Sequence, residues 1–117
     1  MKLAIEEFKT ALEKDFLLSE LQLIPVEHCS QAYGVSFTDS ITKIKISYSG
    51  DTRPSKKFAE ACKFSHLLIH EATFNEDLAD HAKKARHSTV PEALEIASIV
   101  EPKALVLTHV SKRHSKL

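Results

Sequence analysis

The sequence predicts an α/β fold, and three observations carry that expectation. From Lys43 onward, short apolar runs of strand length alternate with segments of helical spacing. Capping residues and prolines stand where those helices would begin and end. Hydrophobic residues make up 43% and charged residues 27% of the 117, the balance of an ordinary folded chain and not of a disordered one.

The elements follow in chain order. Leu3, Ile5, Phe8, Leu12 and Phe16 recur at roughly helical spacing between charged residues, which reads as an amphipathic packing helix. Leu21 to Val26 reads as a strand. Gly34 to Phe37 and Ile44 to Tyr48 read as two more, separated by polar Thr38-Asp39-Ser40. Ser49-Gly50-Asp51-Thr52 breaks the strand, and Pro54 suits the first turn of a helix running to about Cys62. His66 to His70 is a buried strand. The charged stretch 75–86 reads as a loop with some helix. Ser88 or Thr89 can cap the next helix, with Pro91 in its first turn, Glu92 in the favourable N-terminal field and Pro102 beyond its end. Ala104 to Leu107 is a last strand, and a basic tail runs from Ser111 to Leu117. There is no repeat and no internal linker, so residues 1–117 read as one small unit.

Lys plus Arg number 16 and Asp plus Glu number 16, so the chain as a whole does not attract nucleic acid; any such affinity is local. Two cysteines, Cys29 and Cys62, do not make a disulfide framework, and a reducing intracellular compartment is the expectation. The first residues lack an apolar run of signal-peptide length, and no stretch approaches a membrane span.

Chemistry concentrates at strand ends. His28, Asp51, Glu71 and His109 each follow a predicted strand, and α/β sheets gather their ligand sites there. Imidazole and carboxylate are suitable zinc ligands. Each residue alone has a blander reading, a surface histidine or a turn aspartate. Their coincidence at successive strand ends is the stronger observation.

Tyr48 to Ser55 reads Tyr-Ser-Gly-Asp-Thr-Arg-Pro-Ser, and Leu68 to Phe74 carries His-Glu-Ala-Thr. Arg86-His87-Ser88-Thr89, His28-Cys29 through Ala32-Tyr33-Gly34, and Leu107-Thr108-His109-Val110-Ser111-Lys112-Arg113 complete five motifs within residues 21–113. In residues and in order they resemble the motifs of tRNase Z, the tRNA 3′-processing endoribonuclease of the metallo-β-lactamase fold. The His-Cys…Tyr-Gly version looks more like the long, eukaryotic form.

That resemblance implies the C-terminal half of an αββα sandwich, with one mixed sheet and two or three helices on one face. It implies that His28 ligates one zinc, that Asp51 bridges two, and that His109 ligates the second. Mn2+ or Mg2+ could replace zinc. His87 is implied to act at the scissile phosphate. Glu71 lies in the neighbouring loop, where it could orient His87. Arg53, Ser88, Thr89 and Arg113 are the expected substrate-binding residues, and precursor tRNA the expected substrate. The compartment is then the nucleus or mitochondrion of a eukaryote, otherwise the cytoplasm. His70 reads as a structural hydrogen-bonding residue, His66 and His81 as surface or packing residues, Cys29 as a buried thiol and Lys83, Lys84 and Arg86 as a solvated basic run. Val110 and His114 depart from the aromatics usual in the last loop.

The family's His-x-His-x-Asp-His is not present in these residues; His66 and His70 are four apart, and His109 and His114 five. Three ligands fall short of the roughly seven or eight bonds that two zincs require. The expectation is that a missing N-terminal half, a partner or a second chain, as in a homodimer, supplies the rest, and that the isolated chain is inactive. A segment of an active enzyme is the favoured reading. A non-catalytic interaction module of the same family and another metallo-β-lactamase-fold phosphodiesterase are the alternatives.

Overall fold

The computed structural model describes residues 2–110, with side chains from Glu6 onward. Helix α1 (Lys2–Asp15) leads into β1 (Leu18–Pro25), β2 (Tyr33–Asp39) and β3 (Lys45–Tyr48). Then come α2 (Lys56–Ala61), β4 (Leu67–Glu71), a 3₁₀ turn at Glu76–Leu78, α3 (Ala79–Ala85), α4 (Val90–Val100) and β5 (Ala104–Thr108). The five strands form one mixed sheet in chain order. β1, β2 and β3 pair antiparallel; β3, β4 and β5 pair parallel.

That change of sense at β3 places the site. β1 runs the same way as β3, because two antiparallel pairings restore the direction. The C-terminal ends of β1, β3, β4 and β5 therefore lie along one edge of the sheet; Glu71 ends β4, and the segments after β1, β3 and β5 carry His28, Asp51 and His109.

Helix starts follow local chemistry. Ser55 caps α2 by accepting the Phe58 N–H, so Pro54 precedes the cap and is not in the first turn. Thr89, not Ser88, caps α4: its hydroxyl accepts the Glu92 N–H while the Glu92 carboxylate takes the Thr89 N–H. A capping box of this kind is worth about 1 kcal/mol. The charged stretch after Phe74 is more helical than the sequence pattern suggested, because α3 ends on Arg86 in the left-handed conformation. β1 begins earlier than the apolar run, with an irregularity between Ser19 and Gln22 where Glu20 has a φ of 53°.

Cross-strand register separates the two faces of the sheet. Ile24, Leu68 and Leu105 face α2 and α4 and join Phe58, Ala59, Cys62, Ile96 and Val100 in the core. Gly34 lies on this face because a Cβ there would stand 2.6 Å from the Phe58 ring. The opposite face is a row of paired apolar residues: Leu23, Val35, Tyr48, Ile69 and Val106, flanked by Phe37, Ile46 and Leu67. Tyr48 is 38% and Val106 47% exposed, so this face is not closed over by the described residues. A surface of this extent favours association. The 117-residue chain on its own is expected to self-associate in light scattering and to melt without a sharp transition. A monodisperse monomer with a cooperative transition would contradict this.

Cys29, expected to be buried, is exposed in the β1–β2 connection; Cys62 is the buried thiol. Arg113, His114 and the rest of the basic tail lie outside the described residues.

Candidate metal centre

The segments that follow the strands meet at the sheet edge. The Arg53 N–H donates to the Glu27 carbonyl at 2.9 Å, tying the segment after β3 to the one after β1. The Phe74 N–H donates to the Ser88 carbonyl and the Val90 N–H to the Phe74 carbonyl, tying the segment after β4 to the start of α4. Gly50 turns the chain just before Asp51 at a φ of +61°, where a Cβ would press 2.8 Å against the Tyr33 carbonyl oxygen.

At the centre is Glu71, fully buried. Its Oε1 accepts the Thr52 N–H and His87 Nδ1–H, each at 2.8 Å. Its Oε2 accepts the Thr73 N–H at 3.1 Å and the Thr73 hydroxyl at 2.7 Å. Burial alone would raise the Glu71 carboxyl; the donors from Thr52, Thr73 and His87 outweigh it and hold the group below its ordinary value. Its oxygens are so fully engaged that Glu71 is poorly suited to ligate an ion, although it lies with His87 and His109 in one group of metal-capable side chains. Orienting His87 is the work its geometry fits.

The expected metal residues do come together. His28, Asp51 and His87 offer ligand atoms within 4.8 Å of one another. Asp51 Oδ1 lies 3.3 Å from His109 Nδ1. The His87 ring is 4.8 Å from that of His28 and 5.1 Å from that of His109, so His87 stands between them.

The hydrogen bonds select a tautomer for each ring. His28 Nδ1 donates to the Arg86 carbonyl at 2.8 Å, and a carbonyl can only accept. His87 Nδ1 donates to Glu71. His109 Nδ1 lies 2.9 Å from the Thr73 hydroxyl, whose proton is already given to Glu71. All three imidazoles thus keep Nε2 as the free basic nitrogen, and Asp51 keeps carboxylate oxygen exposed. Metal-ligating histidines present this pattern, and the donor set suits zinc.

Of the expected substrate-binding residues, Arg113 lies outside the described residues, and the other three are engaged within the chain. Ser88 is fully buried and donates to the Thr52 carbonyl at 2.6 Å; Thr89 is buried as the α4 cap. Arg53 gives Nη1 to the His87 carbonyl at 2.6 Å and to Glu92 at 2.9 Å, and Nη2 to Glu92 at 2.6 Å. Burial would raise Glu92, but Arg53 and Thr89 lower it on balance. These three residues brace His87 and its loop, and their polar atoms are already partnered. The signal for this was the capping pattern, which placed Thr89 and Glu92 within the fold.

Thr73 was given no role from the sequence, and Arg86 was expected only as part of a solvated basic run. Thr73 touches Glu71, His87 and His109 through one hydroxyl oxygen. Arg86 clasps His28 twice, its carbonyl taking Nδ1–H and its guanidinium donating to the His28 carbonyl at 3.2 Å. Among the others, His70 is fully buried with Nδ1 on the Glu71 carbonyl, and burial lowers it. His66 accepts the Lys45 N–H.

No family model matches the sequence. The chain is 45% identical over 108 residues to Ribonuclease Z 1 of Schizosaccharomyces pombe, a match covering 92% of this chain and 13% of that protein. It is 32% identical over 114 residues to zinc phosphodiesterase ELAC protein 2 of Macaca fascicularis, covering 97% of this chain and 14% of that one. Its fold superposes on a long-form RNase Z from yeast with a TM-score of 0.85 at 36% identity, over 95% of this chain and 16% of that one. The chain thus spans about one-seventh of the length of the curated relatives it matches.

Proposed function

This chain belongs to the ribonuclease Z family, and from that premise we propose that it supplies the C-terminal part of a zinc-dependent endoribonuclease that removes the 3′ trailer from precursor tRNA. The observation that carries this reading is His87, held by a buried carboxylate and standing between His28 and His109 with Asp51 beside them. In an intracellular enzyme of this kind, residues from outside these 117 complete the site.

Asp51, His28 and His109 are the residues of this chain that would hold the metal, Asp51 as the carboxylate that two ions would share. Bound zinc supplies Lewis-acid activation of water and of the phosphate. The rest falls to the side chains. Glu71 accepts the His87 Nδ1–H and so leaves Nε2 as the nitrogen that faces the reacting groups. As water oxygen bonds to phosphorus and the bond to the 3′ oxygen breaks, a proton carried on His87 Nε2 passes to that departing oxygen, leaving a 3′-hydroxyl on the tRNA after the discriminator base and a 5′-phosphate on the trailer. Glu71 keeps the ring aimed and remains ionised throughout.

A full-length chain carrying this segment is expected to release the trailer from precursor tRNA in the presence of zinc or manganese and to lose that activity to a chelator. Hydrolysis of a β-lactam or a small thioester, with no action on precursor tRNA, would overturn the assignment.

A further inference from the structure

We infer that Thr73 is a positioning residue of the metal centre, its hydroxyl holding His109 in the Nδ1–H tautomer and linking that ring to Glu71. The inference rests on the proposed reading of His109 as a metal ligand.

The argument starts from what one hydroxyl can do. It has one proton to give and two lone pairs to receive with. The Thr73 proton goes to Glu71 Oε2 at 2.7 Å. The contact from His109 Nδ1 at 2.9 Å is therefore an N–H donated to Thr73. His87 Nδ1 is 3.2 Å from the same oxygen but has a shorter bond, 2.8 Å, to Glu71 Oε1. Glu71 thus orients two histidines with its two oxygens, His87 directly and His109 through Thr73. The hydroxyl is not needed to satisfy Glu71 Oε2, because the Thr73 N–H already donates there at 3.1 Å. Its distinct use is toward His109.

Asp51 makes that use consequential. Asp51 Oδ1, 3.3 Å from His109 Nδ1, is the neighbouring acceptor for the same proton. Without the Thr73 hydroxyl, the imidazole N–H turns to Asp51. One change then disturbs both the ring and a carboxylate oxygen needed for metal. Removing a partner that orients a ligating histidine typically weakens metal binding about 10–100-fold.

The test is a zinc titration of a full-length chain carrying this segment, as wild type, Thr73→Val, Thr73→Ser and His109→Ala. Valine keeps the shape and removes the hydroxyl; serine keeps the hydroxyl. Thr73→Val is expected to bind one zinc about 10–100-fold more weakly and to alter the visible spectrum of the cobalt-substituted protein, while Thr73→Ser stays close to wild type. If His109→Ala binds zinc as wild type does, the ligand reading itself fails and the inference falls with it. If His109→Ala loses zinc but Thr73→Val retains wild-type affinity and spectrum, the inference alone falls. It falls equally if valine and serine are impaired alike. Should Thr73→Val not fold, ¹⁵N histidine spectra of the zinc-loaded wild type decide: a proton on His109 Nδ1 with zinc on Nε2 is expected, and the reverse assignment overturns the inference.

Discussion

Asp51→Ala, in a full-length chain carrying this segment, is expected to lose both metal ions and with them essentially all cleavage of precursor tRNA. A single carboxylate has two oxygens, and in the proposed site it is the one ligand of this segment shared by both ions. Its loss removes a bond from each ion and also the negative charge that screens one cation from the other. The Asp51 side chain is only half-exposed and lies 3.3 Å from His109 Nδ1, so its removal also frees that ring from a neighbouring acceptor. His28→Ala and His109→Ala should each weaken one ion and recover partly in excess metal, as Asp51→Ala should not. Metal content measured beside single-turnover cleavage separates these cases. Asp51→Ala retaining both zincs and the full rate would refute the bridging role.

His87→Ala is expected to keep its zinc and slow the chemical step by about 10²–10⁴-fold, the usual contribution of a positioned acid or base. The ring lies within ligand distance of His28 and Asp51, so proximity alone does not distinguish a proton donor from a ligand. Its Nδ1 rests on a buried carboxylate at 2.8 Å, which fixes the ring and leaves Nε2 as the nitrogen available for proton transfer. A carboxylate partner also suits a ligating imidazole; metal analysis therefore decides the role. Loss of zinc from His87→Ala would make it a ligand and leave the proton-transfer role without a residue.

The sequence by itself determined the fold class, the order of the strands and the family. Short apolar runs bounded by turn residues locate strands because burial and backbone hydrogen bonding act over a few neighbouring residues. Five ordered motifs then identified the family even though composition and net charge say nothing about RNA. Legibility was poorest where local pattern and final surroundings part company. β1 includes Glu20, which breaks the apolar run, because its pairing with β2 is irregular there. Cys29 looked like a core residue by type and is exposed by position.

Only the tertiary structure decided what the side chains do for one another. Ser88, Thr89 and Arg53 belong to motifs of a nucleic-acid enzyme, yet their polar atoms are bound within the chain. Whether an arginine meets a substrate or Glu92 depends on a partner 39 residues away, which no local spacing reports. The Glu71–His87 pair, inferred from neighbouring loops, is present at 2.8 Å, and it exists because the bridge between Phe74 and Thr89 folds the segment after β4 back onto its own start. Thr73 and the Arg86 carbonyl escaped notice for the same reason. A tautomer is set by the direction of hydrogen bonds between residues distant in sequence, a property that arises only when the sheet has brought them together.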